Sequence, residues 1–375
     1  MIYEFDPKKY RFAVEIGEKG KLERLDKIPR PKPGEKVACA INWSVFDWSG
    51  NANDGYGEVE QDGVQLKPES KAFPSMSFKY NKLTFGNLLG AQMGVSTAMT
   101  LVLNGKIDIR NPAKMSTGSD HRTACGQRKN GNILFVTMEN VTSKDLAEQM
   151  LALDCTIAFQ GDSGGSTGYY NGELYDHGRA IAGALVAYEI DVDYWLDFSH
   201  SWQDRIYPDL AYAIAYMAYK KNKKALCTSG FRSAEEQLAS QKSALKKKGY
   251  YQTEDGRVYN SKGQCMVSAV GESSHNWGMA FDSRGTWLED MSNSELKKYG
   301  LRKPMSYEPW HVELDKRTTV PEKKVKFYKY MKEAYPMDAK TFQMITGLKP
   351  DGVVGKATLA KMREVKELIN KYVKG

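Results

Sequence analysis

Hydrophobic and polar positions alternate in short runs through the first half of the chain. VACAIN (37–42), GNILFVTME (131–139) and CTIAFQ (155–160) are bounded by Gly, Asn and Pro clusters, and each predicts a strand. One helix is announced among them. Thr142–Ser–Lys–Asp145 is a capping box, followed by apolar Leu146, Met150, Leu151 and Leu153. Near residue 200 the pattern changes. Pro208–Asp209 opens a helix with Leu210, Ile214 and Met217 on one side. A short strand (225–228), the loop SGFRS (229–233) and a second helix (234–248) stopped by Gly249 follow. A polar loop (250–264) then leads to MVSAVGESSHNWGMAFD (266–282) and YEPWHVEL (307–314). The last segment predicts two helical stretches around the turn Leu348–Gly352, with Asp338 as an N-cap and Gly347 as a stop.

These patterns predict a multidomain α+β chain. A strand-rich α/β domain spans 1–190, an α+β domain with a small antiparallel sheet spans 191–320, and a small three-helix domain spans 321–375. The first boundary falls softly within 189–202. At 41% hydrophobic and 27% charged residues, the composition is that of globular domains. The longest apolar runs, 179–188 and 210–219, are far short of the ~20 residues of a membrane span, so membrane insertion is not expected. The first residues, MIYEFDPKKYRF, carry charge where an export signal would be apolar. Five cysteines without a CxxC pair suggest reduced thiols and a cytoplasmic site of synthesis.

The net charge of +8 is uneven. Residues 322–375 hold 13 Lys/Arg against 6 Asp/Glu, or +7 in 54 residues, which leaves +1 for the rest. A basic end on a near-neutral body suggests a polyanionic partner, either nucleic acid or an anionic cell-wall polymer. No nucleic-acid-binding motif accompanies the charge, which disfavours the first.

Only five histidines are present. His275 lies in a loop seven residues before Asp282. In the strand-like Met279–Asp282, Ala280 and Asp282 share a face while Met279 and Phe281 point to the core. Gly278 lets the loop fold back. His311 and Glu313 share a face of a further strand. Two histidines and one aspartate leave a fourth tetrahedral position open, the pattern of a catalytic zinc. Glu308 is then the general base for a bound water, and Glu313 an outer partner of His311. By spacing alone, a lone His or Asp in a loop is more often a solvated or capping residue than a metal ligand.

The joint pattern S-x-H-x-x-G-x-A-x-D (Ser273 to Asp282) and E-P-W-H (Glu308 to His311), with Ser229-Gly-Phe-Arg-Ser233 and Gln237 upstream, resembles the VanY-like, LAS-type zinc peptidases. These are D-alanyl-D-alanine carboxypeptidases and L-alanyl-D-glutamate endopeptidases. The resemblance covers roughly 200–318. It implies Zn2+ (one ion) on His275, Asp282 and His311, catalysis by Glu308 and Arg232, and substrate contacts from Ser229, Gln237 and Ser273. The other role open to Arg232 is a structural ion pair.

Gly161-Asp-Ser-Gly-Gly165 looks like the nucleophile motif of trypsin-like proteases, but His121 has no supporting context and a helix and one strand precede the motif. Ile41–Asp47, Arg122-Thr-Ala-Cys-Gly126 and Asp162-Ser-Gly-Gly-Ser166 are more similar to the phosphodiester glycosidase family over most of 35–188. Two departures stand out: Ser163 replaces a glycine of the family's D-G-G-G-S run, and Gly161 a leucine. The similarity implies a second site at Asn42, Arg122, Asp162 and Ser166, either catalytic or wall-binding. Phe342–Leu348, Asp351–Gly355 and Thr358 resemble peptidoglycan-binding domains.

Together these resemblances imply a phage-type endolysin that cuts peptidoglycan peptides, released from the producing cell to act at the wall. Peptidoglycan and anionic wall polymers would be its partners. The alternatives are a dual hydrolase whose N-terminal domain cleaves a glycosidic or phosphodiester bond, a host carboxypeptidase, which would need an export signal, and a wall-binding virion protein with a degenerate peptidase.

Overall fold

Several short strands, each apolar on one face or both, need stacked sheets to bury them. The computed structural model has that arrangement. It describes residues 1–7, 9–18, 21–46, 57, 59–61, 63–68, 72–86, 90–315, 322–323, 325–326, 342–343, 346, 348 and 353–373. The chain divides into two compact units, Met1–Asp191 and Val192–Gly375.

The first unit contains β1 (Ile2–Phe5), β2 (Tyr10–Ile16), β3 (Glu35–Asn42), β4 (Val59–Gln61), β5 (Val64–Lys67), β6 (Ser75–Lys79), β7 (Lys82–Phe85), β8 (Met93–Ser96), β9 (Met99–Leu103), β10 (Lys106–Ile107), β11 (Asp120–Arg128), β12 (Ile133–Val141), α1 (Ser143–Ala152), β13 (Cys155–Gln160), β14 (Gly168–Tyr170), β15 (Leu174–Asp176) and β16 (Gly183–Ile190). They form sheets of order β1-β12-β11-β13-β9-β10, β15-β14-β3-β16-β2 and β5-β4-β8-β6-β7. One core joins all three sheets, with Phe5, Phe135 and Phe159 of the first packed with Phe12 and Ile41 of the second and Met76 and Phe78 of the third. On the other face of the first sheet, Leu146, Ala147 and Met150 of α1 cover Leu101, Val102, Ala124 and Val136. Each of the Leu, Val and Met side chains contributes about 1.5–3 kcal/mol by leaving water, and the alanines less. The Thr142–Asp145 capping box forms in both directions, which fixes where α1 starts.

The second unit contains α2 (Val192–Trp195), β17 (Leu196–Phe198), α3 (Pro208–Lys221), β18 (Ala225–Cys227), α4 (Ala234–Leu245), β19 (Tyr251–Gln252), β20 (Val258–Tyr259), β21 (Cys265–Val267), β22 (Phe281–Asp282), α5 (Asn293–Lys297), β23 (Leu301–Arg302), β24 (His311–Leu314) and α6 (Lys356–Val373). Its sheets are small: β22-β24-β23 and β19-β20-β21 are antiparallel, and β17 pairs β18 in parallel. Helix α3 begins with proline and ends at Asn222 in the left-handed conformation. Helix α4 ends at Leu245, four residues before Gly249, because the exposed Lys246–Lys248 have no apolar face to bury.

The strand-rich α+β class therefore holds. Of the three-helix C-terminal arrangement, most of the first helix, Asp338, Gly347 and residues 349–352 lie outside the described residues, as does Asp47 of the N-terminal motif. No helix among the described residues is long and apolar enough to cross a membrane.

Candidate functional sites

In the first unit, the run Gly161–Ser166 leaves β13 beside the start of β11, and backbone bonds hold it on both sides. Gly161 N donates to Thr123 O at 3.0 Å and Asp162 N to Trp43 O at 2.9 Å. Asn42 completes the clamp. Its Nδ2 donates to Asp162 O at 3.0 Å, while its Oδ1 accepts from Thr123 Oγ1 at 2.6 Å and Gly168 N at 3.1 Å. Asn42 thus shapes the loop, with its Oδ1 accepting two hydrogen bonds and one of its two Nδ2 hydrogens engaged.

The glycines of this loop have separate reasons. A Cβ on Gly161 would stand 2.8 Å from the buried Trp43 ring. On Gly164 (φ +69°) it would meet the Asp120 carboxylate at 3.1 Å, and on Gly165 the Arg179 guanidinium at 3.2 Å. The Gly164–Gly165 pair thus lets an acid and a base lie directly against the loop backbone.

Asp162 is the chemically distinctive group. Burial pushes its carboxyl up to about 6, and nearby Asp120 adds to the rise. Hydrogen bonds from Ser166 and the Ser163 N–H, with the Arg179 charge, oppose it. Arg179 Nη1 also donates to Ser166 Oγ at 3.4 Å. Arg122 is buried and committed to structure. Its guanidinium donates to Val141 O at 2.9 Å, to Gly118 O, and to Ser163 Oγ at 3.5 Å. Ser163 Oγ also accepts from Gln160 Nε2 at 3.1 Å. Both neighbours are donors, so among the described residues no base contacts Ser163 Oγ to take its proton, and the serine-protease pattern has no chemical counterpart there. Trp43 Nε1, Ser44 Oγ, Gln160 Oε1 and Thr167 Oγ1 flank the loop, buried and without a hydrogen-bond partner. Such groups are ordinarily satisfied by water or ligand.

In the second unit, three loops converge. The 228–232 loop pairs with Asp282 through an isolated bridge at Ser229, and Arg232 N donates to His275 O at 3.0 Å. Gly278 is left-handed (φ +62°) and closes the turn that returns the chain from His275 to Asp282. His311 sits opposite Asp282 in the β22–β24 pair. One ligand atom from each of His275, Asp282 and His311 lies within 4.8 Å of the others, and all three residues are buried. His275 Nε2 is 3.2 Å and His311 Nδ1 2.8 Å from Asp282 Oδ1.

The outer contacts settle which nitrogens face inward. His275 Nδ1 donates to Gly230 O at 2.7 Å, and His311 Nε2 is 3.3 Å from Glu313 Oε1. That leaves one nitrogen per ring for an ion, so the residues fit a divalent metal. Burial works against ionisation of Asp282, yet the two imidazoles hold its carboxyl well below the usual range. Burial likewise opposes ionisation of Glu313, but His311, Lys323 and Ser274 bring it down to about 2.

Glu308 borders the trio in a cavity of about 720 Å³ that also contains Arg232, Arg284 and Trp310. Burial raises the Glu308 carboxyl. Arg232 donates to Gln237 Oε1 at 3.0 Å and Ser229 Oγ at 2.9 Å, so those two brace the guanidinium. Ser273 Oγ accepts from His275 N at 3.3 Å. A metal-polarised water beside Glu308 is the chemistry such a pocket can support.

Sequence reasoning passed over Asp120, His177 and Arg179, and weighed His121 only as a partner of the protease-like motif. The His121 and His177 rings stack at 4.3 Å, and His121 Nδ1 is buried without a partner. Their signal lay in the runs Asp120-His-Arg122 and Asp176-His-Gly-Arg179, two charged clusters that the fold brings to one end of the unit.

Residues 37–188 match the family model of the phosphodiester glycosidases. No curated protein matches the chain. Among solved structures it is similar to the zebrafish N-acetylglucosamine-1-phosphodiester alpha-N-acetylglucosaminidase catalytic domain, auto-inhibited by its pro-peptide. That likeness has 20% identity, covers 49% of this chain and 75% of that one, and has a TM-score of 0.42. A hypothetical protein from Synechocystis is similar at 11% identity over 50% of this chain and 58% of that one, with a TM-score of 0.42.

The family match corrects the expectation drawn from 200–318. It falls on the first unit and names a glycosidase family, with no peptidase signature, so the VanY-like identity and the zinc-metallopeptidase activity are withdrawn. The endolysin reading loses its support with them. The physical reason is that ligand-bearing loops can gather residues able to hold a cation while leaving open which bond, if any, is cut.

Proposed function

We propose that the first unit hydrolyses the glycosidic bond of a sugar joined through a phosphodiester, in an anionic cell-wall polymer associated with peptidoglycan. The observation that carries this reading is Asp162, held at about 6 within the family-matched segment, against Arg179 and a glycine-lined loop. A phosphate ester leaves readily without a proton, so the demand on the protein is for a base on the sugar side. The Asp162 carboxylate takes a proton from water as the water oxygen bonds the anomeric carbon. The carbon–oxygen bond to phosphate breaks with its electron pair on the phosphate monoester, which Arg179 and the loop N–H groups of Gly164 and Gly165 receive. The +7 of residues 322–375 would draw the molecule to such a polymer at the wall.

For the second unit the proposal is the bound ion itself: one zinc on His275, Asp282 and His311, with Glu308 and Arg232 at its open side.

The test treats purified wall polymer with wild type and Asp162→Asn, following new reducing ends and phosphate monoesters. The variant is expected to lose about a thousandfold in kcat. Wild-type kcat should rise with pH through about 6 and then level, because the base works ionised. Reducing ends released at the wild-type rate by Asp162→Asn, or none released by wild type, would overturn the reading. Metal analysis should find zinc in wild type and lose it in His311→Ala.

A further inference from the structure

We infer that the first unit has a separate sugar-binding cleft, built on the β14–β15 hairpin beyond the candidate site, that grips a neutral sugar of the same polymer. The cleft is a cavity of about 600 Å³ lined by Ile2, Thr137, Glu139, Gln149, Tyr169 and Tyr175. It lies where edge strand β1 and its neighbour β12 of one sheet meet the edge hairpin of another.

Tyr169 and Tyr175 are directly opposed across the hairpin, so their rings share a face. They stack at 5.2 Å with planes 20° or so apart (22°), and Tyr3 packs edge-on against Tyr169 at 6.3 Å. Tyr175 is 51% exposed, yet its hydroxyl donates to Glu139 Oε1 at 2.8 Å. An exposed ring held on both sides has lost little freedom that a ligand would otherwise have to remove. A pyranose has an apolar C–H face and a polar rim. The cleft offers an aromatic surface with a carboxylate, an amide and a hydroxyl around it, which is the matching arrangement.

Charge distinguishes this cleft from the Asp162 site. Among the described residues no lysine or arginine lines it; the Met1 α-ammonium at its wall donates to Thr137 O at 2.7 Å and shares that wall with the Glu139 carboxylate, so the cleft suits the sugar better than the phosphate. Continuity links the two. Tyr169 follows Ser166 by three residues, about 10 Å of extended chain, and His177 and Arg179 follow Tyr175 by two and four residues. A polymer cleaved at Asp162 would therefore pass one or two sugars further on over the tyrosines. The assignment of a shared polymer rests on the proposed hydrolysis; sugar binding at the cleft does not.

The experiment measures binding of a β-1,4-linked N-acetylglucosamine tetramer by calorimetry to the full chain, with hydrolysis measured in parallel. Wild type and Asp162→Asn should bind alike. Tyr175→Ala should weaken binding about tenfold or more, while Tyr175→Phe keeps the stacking surface and most of the affinity. A thermal melt checks that the exposed position leaves the fold intact. The inference is overturned if wild type shows no saturable binding by roughly 10 mM, or if Tyr175→Ala binds as wild type does. Tyr175-dependent binding without hydrolysis by wild type would remove the proposed activity and leave the cleft standing.

Discussion

Asp162 and Asp282 are both aspartates withdrawn from water at the heart of a candidate site, yet their acidities move in opposite directions. Burial wins at Asp162, whose few weak partners leave the carboxyl at about 6, close to the pH at which it could exchange a proton. Partners win at Asp282, where two imidazoles hold the carboxylate ionised against the same desolvation. Depth alone therefore does not decide what a buried acid does. The first centre suits proton transfer, and the second suits holding a cation.

The difference can be broken most sharply by removing one centre at a time. His311→Ala, or treatment with a chelator, should take zinc from about one per chain to none, while phosphodiester hydrolysis keeps its wild-type kcat. Asp162→Asn should do the reverse, losing about a thousandfold in kcat with the zinc retained. Loss of hydrolysis on chelation would show that the two chemistries are not separable and that Asp162 does not act alone.

Much of this contrast was legible in the chain, for uneven reasons. The grouping of His275, Asp282 and His311 was legible through the joint S-x-H-x-x-G-x-A-x-D and E-P-W-H pattern, since spacing alone left solvated or capping roles open, and Gly278 marks the reversal between His275 and Asp282. What such a cluster would act on was not legible, since ligand spacing encodes no substrate contact. In the first unit, the strands and α1 were legible from alternation and the capping box. Asp162 and Ser166 were found through the glycine-rich run. Asp120 and Arg179 were missed because each is an isolated charge in sequence, brought to the loop only by sheet pairing and a hairpin. Asn42 and Arg122 were named as site candidates, and both side chains hydrogen-bond into the loop and its neighbours.

Glycine substitutions give the next largest effect. Gly278→Ala forces a left-handed backbone on a side chain and drives a Cβ to 2.4 Å from Arg205 O. It should cost about 3 kcal/mol or more, and weaken zinc binding because His275 and Asp282 no longer meet. Gly161→Ala has no such backbone demand but presses a Cβ against the Trp43 ring at 2.8 Å and its Cα at 3.2 Å, so about 1–3 kcal/mol is expected, with hydrolysis impaired and zinc unchanged. Chemical denaturation with metal analysis separates the two. Equal effects of both variants on zinc would mean that the centres are not built independently.

The smallest expected effect is the most discriminating for the loop itself. Ser163→Gly removes an oxygen that accepts from Gln160 and, weakly, from Arg122, whose other bonds to Val141 O and Gly118 O remain. Stability should fall by about 1–2 kcal/mol, from the lost hydrogen bonds and the freer glycine backbone. The rate of hydrolysis should change by less than about tenfold, because the chemistry is placed on Asp162 and the serine only steadies Arg122. Were Ser163 a nucleophile, the same substitution would abolish turnover altogether. A measured kcat near wild type therefore excludes covalent serine chemistry, and a collapse of kcat with the fold intact would move the reacting group one residue along the loop.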